Sequence, residues 1–110
     1  MKIIAFAELK PGLTMETIAP LLQPETANTW RLSKAGIIRE LYARVDVTGV
    51  VIVFECADAA EAKQYIEDFP MTMAGFIQWE IVPVAAPFFI ECLFSPSVDV
   101  KEPFDRALTK

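Results

Sequence analysis

Histidine is absent from this chain. Its absence removes Ser–His and Cys–His nucleophilic pairs and the commonest ligand of zinc and iron sites. Cysteine is scarce, with only Cys56 and Cys92, both in apolar surroundings and far apart in sequence. Such a pair reads as two thiols of a cytoplasmic protein, with a 56–92 bridge as the alternative. Only four glycines occur, and none belongs to a glycine-rich turn that opens a helix. Nucleotide cofactors therefore have no support, and no cofactor or metal is expected. Positive charge is short as well: ten Lys and Arg face fifteen Asp and Glu, for a net charge of −5 and a pI near 4.6. The basic residues are scattered, which disfavours nucleic acid and anionic membrane surfaces as partners. No apolar run approaches the roughly 18 residues of a membrane span. The first apolar stretch, Ile3 to Ala7, is cut off by Glu8 and reads as a strand rather than a signal peptide.

What the chain has in quantity is apolar surface. Apolar residues make up 54% of its 110 residues and charged residues 23%. That is ample for one core and high for a small monomer, so an interface between copies or a ligand pocket is expected.

The pattern of these residues predicts the elements in turn. Residues 2–9 alternate as a first strand, stopped at Pro11-Gly12. Thr14 is placed to cap a helix carrying Ile18, Leu21 and Leu22. Pro20 and Pro24 predict an irregular or split helix, with a second segment over 25–35 ended by Gly36. Strands at about 37–45 and 49–56 flank a polar turn at Asp46, Thr48 and Gly49. Asp58 caps a second helix reaching Phe69, closed by Pro70. A loop over 71–75 leads to a fourth strand at about 76–84.

This order is strand, helix, strand, strand, helix, strand: the ferredoxin-like βαββαβ form of an α+β fold. Residues 1–95 would form the one domain, with an extended C-terminal arm at 86–95 that includes the apolar run Phe88 to Phe94. Residues 96–110 would be a polar tail. The helices cover one face of such a sheet. Val50 to Phe54 is apolar without a break, so the other face needs a cover too. A second subunit packed sheet to sheet would supply it, as would an arm folded back over its own sheet.

Strict alternation places Ile38, Glu40, Tyr42 and Arg44 on one side of the second strand, pointing between the sheets. Arg39, Leu41, Ala43 and Val45 fall on the side facing the helices. The matching faces of the first and fourth strands add Phe6 and Glu8, then Phe76, Gln78 and Glu80. A carboxylate withdrawn from water passes protons near neutral pH, an arginine holds a substrate anion, and a phenol donates to developing negative charge. These residue types on a polar strand are also those of a solvated, ion-paired edge, with Glu40 and Arg44 as a neighbouring pair.

The stretch from Gly36 resembles the muconolactone isomerase family. The likeness rests on Gly36, Arg39, Leu41 and Tyr42, on the apolar strand ending in Phe54-Glu55, and on the capped helix ending in Phe69-Pro70-Met71. It covers about the central half of the chain. It implies the dimeric α+β barrel form of the ferredoxin-like fold, in homodimers or rings of dimers. It also implies a cofactor-free isomerase that shifts a double bond in an unsaturated lactone by moving a proton. Glu40 stands where that family has histidine and would take over as the proton carrier.

Two functions follow as expectations. In the first, a small, anionic, partly apolar molecule is isomerised, with Glu40 and Tyr42 as catalytic residues. Arg39, Arg44, Glu8, Gln78 and Glu80 then bind the substrate. In the second, the same fold binds a small ligand or assembles with itself without catalysis.

Overall fold

The computed structural model describes residues 1–93, so the expected tail at 96–110 lies outside the described residues. The elements are β1 (Lys2–Leu9), α1 (Met15–Lys34), β2 (Ile38–Ala43), β3 (Gly49–Glu55), α2 (Ala59–Glu67), α3 (Pro70–Met73), β4 (Ile77–Val84) and a 3-10 helical stretch, Phe88–Leu93. The four strands form one sheet in the order β2-β3-β1-β4, with every neighbour antiparallel. This is the ferredoxin-like α+β arrangement that the order of elements predicts.

Local chemistry sets the helix ends. The Thr14 hydroxyl accepts the Thr17 amide at 3.3 Å at the start of α1, and the Asp58 carboxylate accepts the Glu61 amide at 2.9 Å at the start of α2. At the end of α1 the Ile37 amide donates to the Leu32 carbonyl and the Gly36 amide to the Ser33 carbonyl, each at 3.0 Å. Gly36 takes φ 80° there, a conformation that costs a residue with a Cβ. The same pair of bonds closes α3 at Gly75. Each of these turns delivers the chain directly into a strand.

Three expectations about elements need correction. First, α1 is unbroken over 20 residues despite Pro20 and Pro24. The two prolines are four apart on the exposed side. The carbonyls that they deprive of a partner, those of Glu16 and Pro20, belong to exposed residues and can turn to water. Second, α2 ends at Glu67, and Pro70 opens the short helix α3 instead of leading a loop. Proline suits a first helical position because it has no amide proton to lose. Third, the arm over Phe88–Leu93 is 3-10 helical rather than extended, begun by a turn in which the Ile90 amide donates to the Pro87 carbonyl at 3.2 Å.

The core lies between the sheet and the helices. Ile3, Ala5, Leu32, Phe54 and Ala62 are fully buried there, with Ile38, Ile52, Ile66 and Phe69 around them. Cys56 is a free, buried thiol, and burial pushes its pKa up. Among the described residues no helix is long and apolar enough to cross a membrane.

Candidate functional site

The strand register divides the polar residues between two faces. Ile3, Ala5, Ile52 and Phe54 point to the helices, so their neighbours in sequence point away. On that open face Tyr42, Val51, Phe6 and Glu80 stand abreast across the sheet. Glu40, Val53, Ile4 and Val82 form the next row, and Gly49, Glu8 and Gln78 lie on the other side. The register between β2 and β3 shifts between Ile38 and Glu40. That bulge corrects the strict alternation expected for β2: Ile38 pairs with Phe54 and joins the core, while Glu40 stays on the open face.

The structure brings together most of the residues picked out from the sequence. Tyr42 donates its phenol proton to Glu40 Oε1 at 2.6 Å. This bond and the Glu40 charge hold the Tyr42 pKa above 10. Arg44 does not pair with Glu40. It makes a two-pronged contact with Asp46, at 3.0 and 2.7 Å, which holds the Asp46 carboxyl down to about 2. Arg44 also feels the charges of Glu8 and Glu80, and with them and Gln78 lines a shallow hollow of about 230 Å³. Arg39 is apart from this group, at the bulge, where its Nε donates to the Gly36 carbonyl at 2.6 Å. Glu40, Tyr42 and Glu80 are exposed.

A second cavity, which the sequence reading did not anticipate, lies on the helix side of the sheet. It has a volume of about 370 Å³, within the usual range for small-molecule sites. Its floor is buried and apolar, built from Ala7, Ile52, Phe69 and Met71. Leu22 and Thr26 of α1 and Leu41 and Thr48 of the β2–β3 hairpin also line it, and all four are exposed, so they mark its mouth. Phe69 and Trp79 meet there with ring centroids 6.3 Å apart, and the Trp79 indole donates to the Thr72 hydroxyl at 2.9 Å.

Glu25 is the one ionisable side chain among the described residues lining this cavity. One of its oxygens, Oε1, accepts the Met71 amide at 2.9 Å. Partial burial pushes the Glu25 pKa up, and the Met71 hydrogen bond only partly opposes this. Thr26 and Thr29 donate their hydroxyl protons to the Leu22 and Glu25 carbonyls, at 2.8 and 3.0 Å, which leaves their oxygens as acceptors. The sequence did hold a signal for Glu25. Ile18, Glu25 and Leu32 are spaced by seven, so an unbroken helix places the carboxyl on its buried stripe. Splitting the helix at Pro24 hid that relation.

Among the described residues no three of the acidic or sulfur-bearing side chains cluster so as to hold a metal ion. No protein-family model matches the chain, and no curated protein matches it in sequence. A solved structure does match in shape: the 5-chloro-2-hydroxyhydroquinone dehydrochlorinase TftG of Burkholderia phenoliruptrix AC1100, in complex with 2,5-dihydroxybenzoquinone. The match has a TM-score of 0.66 at 16% identity and covers 79% of this chain and 96% of that one. At that identity the likeness bears on the fold: the chain is similar to TftG in the path of its strands and helices.

Proposed function

We propose that this protein binds a small, partly apolar molecule in the helix-side cavity and moves a proton on it through Glu25, without a cofactor. The observation that carries the reading is a single half-buried carboxyl, its pKa raised by burial, among the walls of a 370 Å³ apolar cavity. Ionised, such a group takes a proton from a carbon beside a carbonyl; protonated, it returns one at a conjugated position. A raised pKa brings both forms closer to neutral pH. That is the chemistry of a double-bond shift, the reaction class that the muconolactone isomerase resemblance implies. The quinone complex of TftG is a precedent for a small oxygenated ring held by a chain of this shape.

Incubating the protein with β,γ-unsaturated cyclic ketones and lactones in deuterium oxide tests the reading. Exchange of the proton beside the carbonyl, lost in Glu25→Gln, is the expected result. Equal exchange by both proteins removes Glu25 from the reaction.

A second reading rests on the short Tyr42–Glu40 hydrogen bond on the open face. That face also carries Ile4, Phe6, Val51 and Val82, each only partly buried. A homodimer packed through it would enclose Glu40, Tyr42, Arg44, Glu8, Gln78 and Glu80 as a site between the sheets, where an anion would meet Arg44. Sedimentation tests the dimer, and deuterium exchange by Glu40→Gln tests the site. In the same proposal the domain spans 1–95 and the protein is cytoplasmic.

A further inference from the structure

We infer that the helix-side cavity selects neutral, hydroxylated cyclic carbonyl compounds and rejects carboxylates of the same size. This inference rests on the cavity reading above. Three features of the cavity lead to it. Among the described residues lining it there is no Lys or Arg, and its walls are otherwise apolar apart from three threonines and Glu25. An anion entering would leave water without gaining a counter-charge whichever form Glu25 takes, and the ionised form would also repel it. Arg44, the cation expected to hold a substrate anion, lies across the sheet, tied to Asp46 at 2.7 Å.

The polar groups complete the selection. Glu25 Oε1 is occupied by the Met71 amide, so in the protonated form the other oxygen offers one O–H to a ligand carbonyl. The hydroxyl protons of Thr26 and Thr29 are committed to helix carbonyls, so their oxygens accept from a ligand hydroxyl. A ring with one carbonyl acceptor and one hydroxyl donor matches this set. Trp79 and Phe69 supply apolar ring surface at the inner end.

The test is a pair of probes that differ in charge and by one methyl group, methyl 4-hydroxybenzoate and 4-hydroxybenzoate, titrated into 15N-labelled protein at pH 7. The ester is expected to bind at least about tenfold more tightly than the acid, with amide shifts centred on Glu25, Thr29 and Met71. A Leu41→Arg variant places a cation at the exposed mouth, where the core is undisturbed. It is expected to raise affinity for the acid relative to the ester about tenfold. Equal or tighter binding of the acid by the unmodified protein, with shifts in the cavity, overturns this inference and leaves the cavity reading standing. Absence of binding by both probes, or shifts centred on Tyr42 and Glu80, overturns both.

Discussion

The two faces of the sheet treat their carboxylates in opposite ways. On the open face Glu40 is exposed and already engaged by the Tyr42 phenol, and in the turn after β2 Asp46 is locked to Arg44 and driven to a pKa of about 2. On the helix face Glu25 has one backbone amide as its partner, and partial burial moves its pKa up. The arginine contact beside the face richer in polar groups thus holds the Asp46 carboxyl low. The poorer face draws its acid toward neutral pH. Withdrawal from water, more than the number of polar neighbours, prepares a carboxyl to exchange protons.

Substitutions can break or sharpen this contrast. The largest effect is expected from Phe54→Ala, which empties a fully buried position on the helix face. A loss of about 3–5 kcal/mol in urea unfolding is the expected cost. Val51→Ala, on the open face of the same strand, should cost clearly less in dilute solution; an equal loss would mean that the open face is as tightly packed as the core. Next comes Gly49→Ala. A Cβ there would stand 1.9 Å from the Ala7 carbonyl oxygen, so β1 and β3 must part, at a cost of about 1–3 kcal/mol.

Glu25→Gln should act through pH. The folded-state pKa of Glu25 lies above its ordinary value of 4.5, so its contribution to stability is complete below that value and is lost as pH rises through the folded pKa. Glutamine does not ionise and can still accept the Met71 amide. The variant should therefore match the parent at pH 4 and become the more stable of the two as pH rises toward 8, as read from melting temperatures. A constant difference at all pH values would place Glu25 in water. The smallest effect belongs to Glu40→Gln: an unfolding curve close to that of the parent, and a Tyr42 pKa that falls back toward 10 in an ultraviolet titration.

The same contrast explains what was legible in the sequence. The order of elements and the helix caps could be read because each depends on a few neighbouring residues: Thr14, Asp58, Gly36 and the alternation of β1. The open face was read almost whole, since a polar strand announces itself by period two. Ile38 escaped because a bulge adds one residue to β2, and no turn residue marks it. The helix-side cavity escaped for a different reason. It depends on how far α1 stands off the sheet, a property of packing between elements distant in sequence. Glu25 is hidden with it whenever Pro24 is read as a helix break. Both prolines sit on the exposed side of α1, where solvent can take up the hydrogen bonds that they cost.

Which face of the sheet holds a ligand is the central question. A two-dimensional amide spectrum of the protein, titrated with a neutral hydroxylated ring compound, answers this residue by residue. The cavity reading predicts shifts gathered at Glu25, Thr29, Ile52 and Met71, with Tyr42, Val51 and Glu80 unmoved. Shifts gathered instead at Glu40, Tyr42, Val51 and Glu80 would contradict it and move the site to the open face.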